Sequence, residues 1–468
     1  LINHTSLFYL IYSIKGYMGK IFGTDGIRCL VNEEPLTPET TLKISKAAGY
    51  LLKSRKKKNS RVIICKDTRL SGYLYEPIIT AGFISMGMEV VLVGPLPTPA
   101  VPHLMRSLRA DIGVMITASH NTFEYNGLKF FNSDGYKIST KLENKIEDII
   151  LNKKQYSKII NSKFITGKAI RLEDASGRYS EFLKNTLQKN IKIRKLKIVL
   201  DCGNGATYEI APHIFWELGH EVVCINDKPN GKNINFNCGA VNINELSKKV
   251  IKERADIGFA FDGDGDRLII VNEKGEEIDG DKIIALFAKH LINLDNTKTQ
   301  FPIITTVMSN FGLENYLLSN LKIKLKRSSV GDINVINEMQ KHNSILGGEQ
   351  SGHIILSEYS KTGDGILAAL KVMEIISKLK KPVSSIFNLY NNFPQIKINI
   401  PYTKISKHCV QYIKNLNNKK IKDKNIRLLI RLSGTEPLIR ILVEGKDLEL
   451  VQAKAKRIEK DIRINLGK

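Results

Sequence analysis

Short apolar runs recur along the chain, each stopping abruptly at a small polar or glycine-rich loop and giving way to a helical stretch. Arg61-Val-Ile-Ile-Cys-Lys66 leads into Asp67-Thr-Arg-Leu-Ser-Gly72, and Leu196-Lys-Ile-Val-Leu200 leads into Asp201-Cys-Gly-Asn-Gly205. Phe301-Pro-Ile-Ile-Thr-Thr-Val307 leads likewise into Met308-Ser-Asn-Phe-Gly312. A second β-rich run follows each helical stretch, at Glu89–Val93, Glu221–Ile225 and Lys322–Leu325. Strands alternating with helices at this spacing imply βαβ crossovers and mainly parallel pairing, because parallel neighbours need a long return connection.

The pattern is written more than once. Arg109-Ala-Asp-Ile-Gly113 recurs letter for letter as Arg254-Ala-Asp-Ile-Gly258, each copy opening a further apolar strand. The first copy runs on to a loop at Ser119 and the second to Asp262, while Ser344-Ile-Leu-Gly-Gly348 carries a third unit to Glu349. Equivalent placement predicts three related α/β units that present three different loops. From about Phe393 the pattern changes to short strands, including Ile426–Ile430 and Ile439–Val443, and a closing helix from Asp447 to Ile464. That tail reads as a smaller α+β domain, with Ser384 to Pro394 as its linker. At 468 residues the chain is too long for one core. The expected class is therefore α/β: three βαβ-type domains at 18–172, 173–275 and 276–388 with mixed, mainly parallel sheets, then the tail at 389–468. Residues 1–17, which precede Met18 and the first motif, are expected to be upstream sequence outside the fold.

Composition narrows the class of function. The formal charge of +24 raises nucleic acid as a partner, but the lysines and arginines are spread rather than banded. The charge therefore reads as compositional bias, with no nucleic-acid partner expected, and its field would favour an anionic small substrate. Six scattered cysteines without metal-ligand spacing suit a reducing cytoplasm. No apolar run approaches the length of a membrane span. Leu7-Phe-Tyr-Leu-Ile-Tyr12 lacks the basic start and small-residue cleavage site of a secretion signal, so a cytoplasmic protein without membrane contact is expected.

Four loops carry chemistry. Gly113-Val-Met-Ile-Thr-Ala-Ser-His-Asn121 sends Ser119 to the tip of a strand, with Lys129 a short way on; a strand-ending turn would have the same composition. In open α/β sheets, ligands gather outside the carboxyl ends of strands. Asp262-Gly-Asp-Gly-Asp266 sets carboxylates at alternate positions. A like-charge pair about 4 Å apart costs about 1 kcal/mol in water and about 4 kcal/mol at an effective dielectric of 20. A hard divalent cation removes that cost, and oxygen-only ligands favour Mg²⁺ or Ca²⁺ over zinc. An EF-hand is excluded, because Arg267 stands where that loop needs glycine and both flanks are strand-like. Arg431-Leu-Ser-Gly-Thr435, with Arg440 beyond it, offers guanidinium groups, hydroxyls and a glycine backbone to a phosphate. Gly347-Gly-Glu-Gln-Ser-Gly-His353 sets Glu349 and Ser351 to bond vicinal hydroxyls and His353 to move a proton. Phe22-Gly-Thr-Asp-Gly-Ile-Arg28 adds an exposed arginine.

In this order, the Thr-Ala-Ser-His-Asn, Asp-Gly-Asp-Gly-Asp-Arg, Gly-Gly-Glu-Gln-Ser-Gly-His and Arg-x-Ser-Gly-Thr-Glu-Pro motifs resemble the α-D-phosphohexomutase superfamily over essentially all of 18–468. Phe22–Arg28 and Gln350 lean toward its branch acting on glucosamine phosphates; mannose or glucose phosphates are the alternative. The resemblance implies domains around a central cleft and interconversion of glucosamine 6-phosphate and glucosamine 1-phosphate. It implies that Ser119 carries a phosphoryl group and that Asp262, Asp264 and Asp266 hold one Mg²⁺ per subunit together with the Ser119 phosphate. Lys129, Arg28 and His353 match basic residues around the transfer, and Arg267, Glu349 and Ser351 match substrate contacts. Arg431, Ser433, Gly434, Thr435 and Arg440 match the loop for the substrate's non-reacting phosphate. A hexosamine 1,6-bisphosphate is the implied intermediate or activator, the partner is a small phosphosugar, and a homodimer is among the assemblies allowed. Two positions depart from the pattern. Cys29 replaces a glycine, which predicts backbone strain if φ is positive there, and Ile333 replaces a common arginine. A serine hydrolase is disfavoured, since adjacent Ser119 and His120 need not face each other and Gly-x-Ser-x-Gly is missing around Ser119. An aspartyl phosphatase would leave Ser119 and the sugar loop unexplained, and a non-catalytic ion- or sugar-binding protein predicts that Ser119→Ala behaves as wild type.

Overall fold

The structure, a computed structural model, describes residues 21–23, 25–53, 60–160, 166–189, 191–294, 301–403, 405–418, 426–432 and 437–466. The stretch 1–17, the basic run at 55–58 and Ser433, Gly434 and Thr435 lie outside them. Two compact units divide the chain, one within 1–277 plus 358–377 and the other within 278–357 plus 378–468.

The first unit holds two of the sheets. At the heart of one, Glu89–Pro95, Arg61–Lys66 and Ile112–Ile116 run parallel and Tyr125–Phe131 returns antiparallel. The other repeats this arrangement with Glu221–Ile225, Lys197–Asp201, Ile257–Phe261 and the antiparallel Leu268–Asn272. In the second unit, Leu325–Ser328, Ile303–Thr306, Leu346–Gly348 and Ile354–Leu356 repeat it again. The sheets are mixed and mainly parallel, as expected. The tail, also in the second unit, is an antiparallel sheet of Gln395–Pro401, Leu438–Gly445 and Ile426–Leu432. Helix Leu448–Asn465 covers it with Val451, Ala455, Ile458 and Ile462, a helical-period stripe buried against Ile439, Ile441 and Val443.

The repeated pentapeptide does the same structural work twice. Arg109 and Arg254 are left-handed helix caps with φ of 52° and 50°. Asp111 and Asp256 each accept the backbone N–H that opens the central strand, from Arg61 at 2.9 Å and Lys197 at 2.8 Å. Gly113 and Gly258 then let the next strand pass close to the preceding helix. A Cβ on Gly258 would lie 2.7 Å from Val250 Cγ2 and 2.9 Å from Leu246 Cδ1. Gly258→Ala should therefore cost about 1–3 kcal/mol through overpacking, read as a lowered midpoint in denaturant unfolding. The third unit keeps the geometry with different letters: Asn343 has φ of 50°, and Gly347 lies against Met339.

Three local expectations are corrected. The third unit's second strand starts at Leu325 rather than Lys322, because Lys322 is the left-handed cap of helix Phe311–Leu321. The expected linker opens with a short helix, Val383–Phe387, that buries Val383, Ile386 and Phe387. Cys29 lies in an extended strand, Ile27–Leu30, opposite Asn126, and the left-handed residue of that turn is Gly26 at φ 76°. The cysteine is thus not strained by a positive φ.

Candidate active site

Strand Ile112–Ile116 is buried throughout, and the chain leaves it at Thr117. Asp67, ending the neighbouring strand, accepts from Thr117 Oγ1 at 2.7 Å, and Thr117 Oγ1 in turn accepts the Ser119 N–H at 2.9 Å. Ser119 takes a left-handed φ of 51°. Its hydroxyl donates to Asp262 Oδ2 at 2.9 Å, although 143 residues separate the two. His120 Nδ1 also approaches Ser119 Oγ, at 3.4 Å, so the adjacent side chains do face each other. Burial, then Arg267 and Arg28, push the His120 ring down to about 3, so the imidazole is neutral near pH 7.

The metal-type cluster lies beside this hydroxyl. Asp262, Asp264 and Asp266 are buried, with one carboxylate oxygen from each within 4.8 Å of the others. Lys129 Nζ donates to Asp264 at 2.8 Å and Asp266 at 3.1 Å, and lies 3.4 Å from Asp25. Burial raises the Asp25 carboxyl, but Lys129, Lys137 and Arg28 outweigh it and hold the group below the usual range. Arg28 Nη1 donates to Asn121 Oδ1 at 3.1 Å and Nη2 to Asp25 at 3.2 Å. Arg267 Nε stands 3.7 Å from Asp262 and 3.9 Å from Asp266. Asp264 Oδ1 is buried without a hydrogen-bond partner among the described residues. Three converging buried carboxylates with an unused oxygen fit a hard divalent cation.

Burial, then Asp266 and Asp264, push the Asp262 carboxyl up to about 8, against the pull of Arg267 and Lys129. An unfolded chain loses that proton near pH 4. The folded, metal-free protein therefore holds more protons between about pH 4 and 8, and this group's contribution to stability falls as pH rises through that window. A metal needs the deprotonated form. Mg²⁺ should accordingly raise the melting temperature more at about pH 8.5 than at about pH 6, measured against an EDTA control.

In the second unit, Glu349 Oε1 accepts the Gly331 N–H at 3.1 Å and Ser351 Oγ donates to Glu349 Oε2 at 3.4 Å. Glu349 N donates to His353 O at 3.0 Å, closing the loop between two antiparallel strands. His353 is buried, with Nε2 3.9 Å from Asp332 Oδ2. Gln350 Nε2 donates to Asp279 at 3.1 Å, so its side chain braces the loop. A Cβ on Gly280 would come within 2.2 Å of Glu349 O, which explains the glycine beside this loop. In the tail, Arg431 and Arg440 stand directly opposite each other on paired strands. Burial and then Arg440 lower the Arg431 guanidinium. Facing cations of this kind are destabilising and suit an anion. Ser433, Gly434 and Thr435, between those strands, lie outside the described residues.

Sequence reasoning missed several contributors. Thr98 donates to Asp264 Oδ2 through Oγ1, and its N–H bonds Asp264 O at 2.8 Å. Arg69 and Asn235 both hydrogen-bond the carbonyl of Ser119. Position offered one signal: Asp67-Thr-Arg69 ends a strand beside the one that delivers Ser119. Nothing local marks Thr98 or Asn235.

Residues 19–157, 177–275, 279–393 and 398–461 match, in that order, the family descriptions phosphoglucomutase/phosphomannomutase alpha/beta/alpha domain I, domain II, domain III and C-terminal domain. A phosphoglucosamine mutase of Parvibaculum lavamentivorans is 48% identical over 435 residues, 92% of this chain and 96% of that protein. One from Methylobacterium nodulans is 46% identical over 437 residues, 93% of this chain and 96% of that protein. The crystal structure of a phosphoglucomutase/phosphomannomutase family protein from Burkholderia thailandensis shares the fold, with a TM-score of 0.80 at 23% identity, covering 95% of this chain and 98% of that one. Among the described residues, no helix is long and apolar enough to cross a membrane.

Proposed function

Because the chain belongs to the α-D-phosphohexomutase family, we propose that it interconverts glucosamine 6-phosphate and glucosamine 1-phosphate through a phosphorylated Ser119. The observation that carries this reading is the 2.9 Å hydrogen bond from Ser119 Oγ to a buried carboxylate cluster beside Lys129. A hydroxyl so placed suits a group that is alternately phosphorylated and free.

In the first half-reaction, the free hydroxyl of the sugar phosphate bonds to the phosphorus of phospho-Ser119. The bond from phosphorus to Oγ breaks, the sugar oxygen loses its proton, and Oγ regains one. The product is a hexosamine 1,6-bisphosphate. After it turns end for end, the same exchange at its other phosphate returns a phosphoryl group to Ser119 and releases the isomer. Phosphoryl transfer depends mostly on positioning and charge neutralisation. Asp262, Asp264 and Asp266 would hold Mg²⁺, which supplies positive charge to the phosphoryl oxygens. Lys129 adds a fixed cation, and Arg28 and Arg267 contribute charge at the same loops. The shift that leaves His120 neutral suits it to a role other than an anion contact. Glu349 and Ser351 are assigned to the sugar hydroxyls, His353 to proton movement, and Arg431, Ser433, Gly434, Thr435 and Arg440 to the non-reacting phosphate. The scattered cysteines support a cytoplasmic setting.

The test is a coupled assay with catalytic bisphosphate, comparing glucosamine 6-phosphate with mannose 1-phosphate, alongside peptide mapping of Ser119. Preferred turnover of the amino sugar and a phosphoryl group on the Ser119 peptide are expected. Faster turnover of mannose 1-phosphate would move the substrate to another hexose. An unmodified Ser119 in fully active protein would overturn the mechanism.

A further inference from the structure

Ser119 is held from behind as well as by the groups that meet its hydroxyl. Its left-handed backbone is uncommon for a residue with a side chain, so the surrounding structure must impose it. Two buried donors converge on the loop's carbonyl oxygens. Arg69 Nη2 donates to Ser119 O at 3.0 Å and Asn121 O at 2.8 Å, and Asn235 Nδ2 donates to the same two oxygens at 2.8 Å each. Arg69 also bonds Asp67 and the carbonyls of Thr122 and Tyr125, which makes it a general rivet of its own domain. Asn235 differs in origin. It comes from a loop of the neighbouring sheet's domain, 116 residues further along the chain than Ser119. Its own backbone is left-handed at φ 57°, and its N–H is tied to Gly203 O at 2.9 Å. The aspartate loop is packed against the same contact: a Cβ on Gly263 would lie 2.6 Å from both Asn235 Nδ2 and Ser119 O.

We propose that Asn235 is a positioning residue for phosphoryl transfer, its amide bridging Ser119 O and Asn121 O so that Ser119 Oγ stays aimed at the aspartate loop. The inference rests on the phosphoserine reading above. Beside the Thr98 and Lys129 bonds to Asp264, that amide ties the domain that carries the phosphoryl group to the domain that supplies the carboxylates. Displacement of a reacting group by about 1 Å can cost on the order of a hundredfold in rate. The bridge uses the two backbone carbonyls and not Oγ, so its loss should act on turnover and leave substrate affinity alone.

Two variants test this in the full chain with Mg²⁺. Asn235→Asp keeps shape and tolerance of the left-handed backbone but points acceptors at two carbonyl oxygens. Asn235→Gly keeps the backbone and removes the amide. For each, kcat per folded molecule should fall about tenfold to a hundredfold, with KM for glucosamine 6-phosphate changed less than about twofold. Single-turnover transfer from phospho-Ser119 to sugar should slow by the same factor. Unchanged kcat in either folded variant, or a melting temperature that falls while kcat per folded molecule holds, would overturn the proposal. So would failure of both to fold, which would make Asn235 a folding residue. An inactive Ser119→Ala beside fully active Asn235 variants sinks only this inference; a fully active Ser119→Ala sinks the phosphoserine reading itself.

Discussion

Ser119→Ala should lose on the order of 10⁴-fold or more in turnover, because the substitution removes the hydroxyl proposed to carry the phosphoryl group. The strand and its loop should survive the change. Thr117, Arg69 and Asn235 hold that loop through its backbone, and none of those bonds uses the serine side chain. What disappears is the 3.4 Å contact with His120 Nδ1 and, at greater cost, the 2.9 Å bond to Asp262. Leaving that buried acceptor short of one donor costs about 1–3 kcal/mol at most. Metal binding should persist, since the three carboxylates remain, so Mg²⁺ should still raise the melting temperature. The combination separates the readings cleanly. A strand-ending turn predicts near-normal turnover after the substitution, whereas a phosphoryl carrier predicts a folded, metal-binding protein with no phosphate on that peptide and no isomerisation. Coupled turnover, thermal denaturation with and without Mg²⁺, and peptide mapping read the three parts separately.

The repeated architecture is legible because it is written locally. Arg-Ala-Asp-Ile-Gly occurs twice at equivalent places, where its arginine forms a left-handed cap, its aspartate opens a strand and its glycine permits close packing. The third unit is harder to place. Its left-handed residue, Asn343, comes one place after the helix cap, its strand-opening aspartate is absent, and its second strand begins later than the apolar pattern suggests because Lys322 ends a helix by turning left-handed. The aspartate loop stands out for an energetic reason: three carboxylates spaced by glycine repel one another unless something positive joins them. The supporting residues carry no such mark. Thr98 meets Asp264 across 166 positions, and Asn235 meets Ser119 across 116. Threonine and asparagine in loops are ordinary, and only the folded chain brings their donors to those oxygens. Gln350, a letter of the resemblance, donates its amide to Asp279, a contact that no local pattern announces.

Lys129→Met should damage stability and catalysis together, and metal should repair only the first. Lys129 is 1% exposed, and its ammonium reaches Asp264, Asp266 and Asp25 within 3.4 Å. Methionine keeps the length and apolar stem but removes the charge, so the buried carboxylates lose their nearest cation. Removing one partner of such a buried pair costs about 3–5 kcal/mol. The loss should grow as pH rises through about 8, where Asp262 gives up its proton, and be smaller at lower pH, where the protonated group adds no repulsion for Lys129 to offset. Asp262, already pushed up to about 8 with Lys129 present, should move higher still without it. Mg²⁺ at saturating concentration supplies replacement charge and should recover much of the melting temperature. Turnover should remain down by on the order of 10²–10⁴-fold, since a divalent ion cannot stand in for the proton-bearing side chain proposed to lie beside the transferring group. Denaturant unfolding across that pH range, with EDTA and with Mg²⁺, paired with the coupled assay, measures both effects. Equal metal-free stability of variant and parent near pH 8 would mean that the ammonium does not neutralise this cluster.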